Sequence, residues 1–170
     1  MVGQSINHFL TMRGAWFPLK ATIHEDLSIV MCYCYSQGPL SEMMEQEFSG
    51  EWKFLRKTLF ESSALRAERA LLELALLLRM VDDEEKISEY DKTTSNVRSC
   101  GKLIMRDGSV EPLPFREVAN KVIHSVEAVE WRYSPTLDHQ VICKAGPGEK
   151  WVRAEIGLVD LSFVCGRLPA

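Results

Sequence analysis

The chain has 170 residues, a net charge of −4 and 46% hydrophobic residues. That composition is typical of a soluble globular protein and excludes intrinsic disorder for most of the chain. The acidic balance excludes a strongly basic nucleic-acid footprint, so any contact with RNA would have to be local. The length predicts a single domain, residues 1–170, that folds without disulfide or metal crosslinks.

The cysteines and histidines form no metal-binding pattern. The five cysteines are odd in number, none belongs to a Cys-x-x-Cys pair, and the four histidines are scattered. A structural zinc site needs four converging ligands at typical spacings, so the sequence predicts no metal, and we expect no cofactor. The cysteines are expected to be reduced and mostly buried thiols.

Nothing in the sequence predicts export or membrane insertion. Residues 1–20 lack the basic start and the continuous apolar core of a secretory signal. The most apolar run, residues 70–81, contains Glu73 and Arg79 and is too short to span a bilayer. We therefore expect a cytoplasmic location and no membrane partner.

The first half of the chain is predicted to be helical. After a lid or edge segment at 1–19, residues 20–36 show helical spacing, although the β-prone end at 29–35 leaves a strand open. Gly38-Pro39 is expected to end this element, and Ser41 is expected to cap a long helical zone broken near Gly50. Residues 70–78 are apolar nearly all round, which predicts a central, buried helix. The charged run 82–86 predicts a solvated helix end, and 91–99 a polar loop.

The second half alternates between strands and short helices. Arg106-Asp107-Gly108-Ser109 between two apolar segments predicts a β-hairpin, and Pro114 favours the start of a helix over 115–126. Strands are predicted at 127–133, 139–144 and 150–157, with a final helix or turn at 160–165. The fold class is therefore α+β: a bundle of three to five helices over about 20–126, with a small C-terminal antiparallel sheet over about 127–160.

A polar stripe runs beside the apolar face of the helix predicted at 115–126. Arg116, Asn120 and His124 recur every four residues, so they lie on one side of the helix and span about 12 Å along its axis. In a functional interpretation, Arg116 holds a phosphate, Asn120 orients a hydroxyl or carbonyl, and His124 transfers a proton. In a structural interpretation, Arg116 pairs with a helical carboxylate such as Glu73 or Asp82, and the other two satisfy backbone groups.

Aromatic residues of the predicted sheet are a second candidate site. Trp131, Tyr133 and Trp151 are placed where they can form a ligand-binding or base-stacking platform. The same residues at strand spacing also suit packing against the helical bundle, and the sequence leaves both interpretations open.

The run Leu113-Pro-Phe-Arg-Glu-Val-Ala-Asn-Lys-Val-Ile-His124 resembles a Leu-x-x-Arg-Glu-x-x-Asn-Lys-x-Ile-His motif of small uncharacterised bacterial proteins. The resemblance covers about residues 50–165 and includes Arg79-Met-Val-Asp82-Asp83 and the hairpin beginning Gly101-Lys-Leu. The motif is also distantly similar to the HEPN superfamily of helical bundles, which are often dimers and include metal-independent ribonucleases. Active members place a histidine four to six residues after an arginine, whereas His124 lies eight residues after Arg116, with seven residues between them.

Two functions follow as expectations from the residues and the resemblance together. The first is a non-catalytic interaction or ligand-binding module that forms a homodimer and binds an RNA or protein partner. The alternative is a HEPN-like, metal-independent ribonuclease of a toxin or phage-defence system, with Arg116, Asn120 and His124 as its catalytic residues.

Overall fold

In the computed structural model, residues 19–47, 50, 53–86, 99–136 and 138–168 are described. The fold is α+β, with helices packed against a five-stranded antiparallel sheet. In chain order the elements are α1 (Leu19–Glu47), α2 (Lys53–Arg56), a π-helical turn (Lys57–Glu61), α3 (Ser62–Glu85), β1 (Gly101–Met105), β2 (Val110–Pro112), α4 (Phe115–Ile123), β3 (Glu130–Arg132), β4 (Gln140–Lys144), β5 (Trp151–Gly157) and α5 (Leu158–Cys165). The predicted lid or edge segment, except Leu19, and most of the predicted loop at 91–99 lie outside the described residues.

α1 is helical throughout, which excludes the strand alternative at 29–35. The predicted break at Gly38-Pro39 is wrong, because the helix continues through both residues to Glu47 and Ser41 lies inside it. Proline normally disfavours a helical conformation in the preceding residue, partly by a clash with its Cβ, and glycine has no Cβ. Gly38 therefore lowers the cost of Pro39 inside the helix.

α3 packs against α1 and α4, and it is less buried than the sequence predicted. Lys20 near the start of α1 pairs with Glu85 at the end of α3 at 3.0 Å, so the two helices run antiparallel. Leu71, Leu74 and Leu78 are buried, but Leu72 and Leu76 are almost half exposed. The prediction of a helix buried all round is therefore wrong, because the neighbouring elements leave one face of α3 open.

The C-terminal end of α3 is only partly solvated. Residues 83–86 are exposed as predicted, but Asp82 is 1% exposed. Its helical position turns it toward α4, where it contacts Arg116. The interpretation of the whole run 82–86 as solvated is therefore corrected at Asp82.

The hairpin predicted around Asp107-Gly108 is confirmed, with β1 and β2 antiparallel. The strand order is β2-β1-β5-β4-β3, so the hairpin joins the C-terminal strands through β5. The prediction that the sheet lies only within 127–160 is therefore wrong. At the junction of β1 and β5, a Cβ on Gly101 would lie 1.9 Å from the carbonyl oxygen of Glu155, so only glycine fits there.

The core lies between the helices and one face of the sheet. Side chains of that face alternate along the strands and are buried, as at Leu103, Cys143, Ala154 and Ile156. Four of the five cysteines are buried thiols, and Cys32 is exposed, in agreement with the prediction. Among the described residues, we find no helix with the length and apolar character needed to cross a membrane.

Candidate functional site

The predicted polar stripe lies beside the buried face of α4. Pro114 precedes the helix in an extended conformation, and Phe115, Val118, Ala119 and Val122 are buried as their spacing predicts. The helix ends at Ile123, three residues earlier than predicted, and His124 is its C-cap. The stripe therefore forms, but its third member lies at the end of the helix.

Arg116 is held by two carboxylates of α3. Its Nη1 donates a hydrogen bond to Oδ2 of the buried Asp82 and lies 2.7 Å from Oδ1 of Asp83. The hydrogen bonds that Arg116 donates to these carboxylates raise its pKa above the usual value. Of the two carboxylates that the structural interpretation named, Asp82 is thus the one in contact.

Asn120 is engaged on both sides of its amide. Its Nδ2 donates to Oε1 of Glu117 at 3.1 Å, and its Oδ1 lies 3.5 Å from Nη1 of Arg79 on α3. Glu117 also pairs with Lys121 at 2.9 Å. Burial acts to raise the pKa of Glu117, but the bond and charge of Lys121, together with the Asn120 amide, hold the pKa below its usual value. The side-chain amide of Asn120 therefore serves the α3–α4 contact.

His124 stands apart from the other two members of the stripe. Its backbone N–H donates to the carbonyl of Asn120 at 3.0 Å, and the residue is exposed to solvent. Eight residues of helical rise separate it from Arg116, which is about 12 Å along the axis. Within one subunit, these two side chains therefore do not converge on a single phosphodiester.

The two tryptophans proposed as ligand contacts do not form one platform. Trp131 pairs in register with Val141, which pairs with Ile156, five residues along β5 from Trp151. At about 3.3 Å per residue along the strand and two strands across, they are separated by roughly 19 Å.

Both tryptophans pack against protein groups. Trp151 is buried, and the ammonium of Lys121 lies 4.8 Å from the centre of its ring. Trp131 makes an edge-to-face contact with Tyr33 of α1 at 5.1 Å between ring centres. Tyr133 lies 43% exposed beside this pair and contacts His139. The geometry at these positions corresponds to the packing interpretation rather than to an open stacking surface.

Sequence reasoning missed Asp26, which is, with Asp82, one of two buried carboxyl groups among the helical residues that the structure describes. It is 5% exposed, and its Oδ2 has no hydrogen-bond partner among the described residues. Burial, with smaller contributions from Glu73 and Glu25, raises its pKa to about 6. A sequence signal existed, because Asp26 lies at helical spacing between the apolar Ile23 and Val30 and thus on the buried face of α1.

No metal-binding arrangement is found in the part of the chain that the structure describes: no group of three or more His, Cys, Asp or Glu residues could hold an ion there. The protein is thus an α+β domain in which Arg116 of α4 is held by two carboxylates of α3. Comparison with protein-family models, curated proteins and solved structures gives no match. The resemblance to the HEPN superfamily therefore depends on the motif residues alone.

Proposed function

We propose that this protein is a non-catalytic interaction module. The observation that carries the proposal is the clamp on Arg116, whose guanidinium contacts Asp82 and Asp83 at once. Asp82 is buried, so removing Arg116 from it would leave an uncompensated charge away from solvent. The arginine that would bind a phosphate in an enzyme is here required by the structure.

The local electrostatics also disfavour a phosphodiester at this position. Arg116 brings one positive charge, whereas Asp82 and Asp83 bring two negative charges. Glu117, the next residue of α4, carries a further carboxylate. Its charge is neutralised by Lys121. Arg79 beside Asn120 brings the group to three positive and three negative charges, so an RNA backbone approaching Arg116 would meet no excess of positive charge to attract it.

The second candidate is a HEPN-like, metal-independent ribonuclease. The observation in its favour is the exposure of His124 on the same helix as Arg116, because an accessible imidazole is suited to general acid–base catalysis at neutral pH. In this candidate, Arg116 and Asn120 complete the site, and the pairing of two subunits supplies the residue that one subunit cannot place near His124.

Incubation of the purified protein with mixed RNA in EDTA separates the two candidates. We expect no cleavage by the wild type or by His124→Ala, with His124→Asn as a matched variant that keeps a polar side chain. Cleavage by the wild type that is lost in both variants, at unchanged melting temperature, would overturn the proposal and establish the ribonuclease. Equal cleavage by all three proteins would indicate a contaminating nuclease.

We also propose a cytoplasmic location. Cys34, Cys143 and Cys165 are buried in the core, and burial raises the pKa of each thiol to about 12. These thiols are therefore neutral and shielded, which suits a protein that keeps its cysteines reduced.

A further inference from the structure

α3 exposes a row of large apolar side chains on the face opposite to its buried one. The exposed fractions are 67% for Leu65, 46% for Leu72, 47% for Leu76 and 41% for Met80. Single exposed leucines are ordinary on protein surfaces, but several large apolar side chains aligned on one helix face mark an interaction surface. The row is the largest aligned set of exposed apolar residues on any one described helix.

The row has the spacing of a coiled-coil interface. Steps of four and three residues along α3 connect Leu65, Arg69, Leu72, Leu76, Arg79 and Asp83. Two of these lie at the edge nearest α4, where the partly exposed Arg79 contacts Asn120 and Asp83 pairs with Arg116. We call these six positions, together with Met80 beside them, the α3 seam. Alternating steps of four and three keep side chains on the side of a helix that faces a second helix, and the seam spans about 27 Å.

The exposed charged residues beside and along the seam differ in sign between its two ends. Exposed arginines, Arg66 and Arg69, lie near the N-terminal end of α3, and exposed carboxylates, Asp83 and Glu84, lie at its C-terminal end. A parallel pair of such helices would place like charges together at both ends. An antiparallel pair places opposite charges together at both ends, so the surface is complementary to itself.

We infer that the α3 seam packs antiparallel against the α3 seam of a second copy of this chain, with the two-fold axis at Leu76. In this register, Leu76 faces Leu76 of the partner subunit, and Leu72 faces Met80 of the partner subunit. Arg69 then lies opposite Asp83 of the partner subunit. The inference rests on the proposed interaction function and names its partner.

The flanking charges support the same register. In this register, position 68 lies opposite Glu84 of the partner subunit. Arg66 is two residues from that position, or about 3 Å along the axis. Glu68 lies equally close to the position opposite Lys86 of the partner subunit. Each flanking pair is opposite in sign and lies on one side of the interface, as the symmetry of an antiparallel pair requires.

Site-specific crosslinking tests the register. In a Cys32→Ser background, which removes the exposed native thiol, Leu76→Cys places one thiol of each subunit at the two-fold axis. Oxidised glutathione then accepts the two electrons as the two thiols lose their protons and form an intersubunit disulfide. Leu65→Cys is the matched control, because its two copies would lie about 33 Å apart in the antiparallel pair. We expect a covalent dimer from Leu76→Cys and none from Leu65→Cys; crosslinking of both would indicate parallel helices and overturn the inference.

The mass in solution tests the surface. We expect light scattering to give twice the chain mass of 19.4 kDa for the wild type and the single chain mass for Leu76→Glu. Val152→Glu is the matched control, since Val152 is 44% exposed on β5 and should leave the dimer intact. Unchanged circular dichroism would show that Leu76→Glu still folds. A monomeric wild type at 100 μM, or a dimeric Leu76→Glu, would overturn the inference of an α3–α3 dimer. The RNA assay tests the proposed function separately and does not depend on this result.

Discussion

Two helix–helix contacts in this protein each bury an aspartate, and the charged groups that surround the two aspartates differ. At the α3–α4 contact, Asp82 is 1% exposed and accepts a hydrogen bond from Arg116. At the α1–α3 contact, Asp26 is 5% exposed, and the charges that act on it come from Glu73 and Glu25. One contact therefore contains a paired charge, whereas the other contains a carboxyl group among carboxylates.

The difference determines which protonation state each contact favours. A buried carboxylate is tolerated when a cation and hydrogen bonds replace its lost hydration. Without such a partner, the carboxyl group binds a proton more readily, which is why the pKa of Asp26 is raised to about 6. The α3–α4 contact is thus built around an ion pair, and the α1–α3 contact is most stable when Asp26 is neutral.

Of the variants that test this difference, removal of Arg116 should have the largest effect on the melting temperature. Arg116→Ala leaves Asp82 buried without its cation, and we expect the melting temperature to fall by roughly 5–10 °C at pH 7. Arg153→Ala is the control, because Arg153 pairs with Glu155 at the surface of the sheet. The double variant Arg116→Ala/Asp82→Asn should recover most of the loss. Additive losses in the double variant would show that the ion pair is not what stabilises the contact.

Neutralisation of Asp26 should have a smaller effect of opposite sign. The folded-state pKa of about 6 lies above the unfolded value near 3.9, so the folded state binds the proton more tightly. Stability from this group is therefore full below pH 4, declines as the pH rises to 6, and stays low above it. We expect Asp26→Asn to raise the melting temperature by about 2–4 °C at pH 7.5. A rise of the same size at pH 4, where Asp26 is already neutral, would contradict this explanation.

Loss of the second carboxylate of the clamp should have the smallest effect. Asp83 pairs with Arg116, but its side chain is 55% exposed. Exposed ion pairs contribute little because water screens them, so Asp83→Asn should shift the melting temperature by less than about 2 °C. A loss as large as that of Arg116→Ala would mean that Asp83, rather than Asp82, is the partner that matters.

Local patterns in the sequence were enough to predict the hairpin and the buried face of α4. Both depend on contacts within about a dozen residues: the Asp107-Gly108 turn sets the hairpin, and a four-and-three spacing sets the face of α4. The position of Asp26 on the apolar face of α1 was readable in the same way, although its raised pKa depends on what surrounds it.

Contacts between distant segments were not predictable from such patterns. β1 joins the sheet through β5, about fifty residues later, and nothing in either strand specifies that partner. The open face of α3 was missed for the same reason, because an apolar stretch gives no indication of how many neighbours will cover it.

The sequence by itself determined that this chain forms amphipathic helices and a hairpin, because hydrophobic spacing and turn residues act over a few residues. It also placed Arg116 and Asn120 on one side of a helix. Only the tertiary structure decided that Arg116 is clamped by Asp82 and that the apolar residues of the α3 seam remain exposed. Those outcomes depend on which helices meet and how much of each they cover, and packing between distant segments sets both.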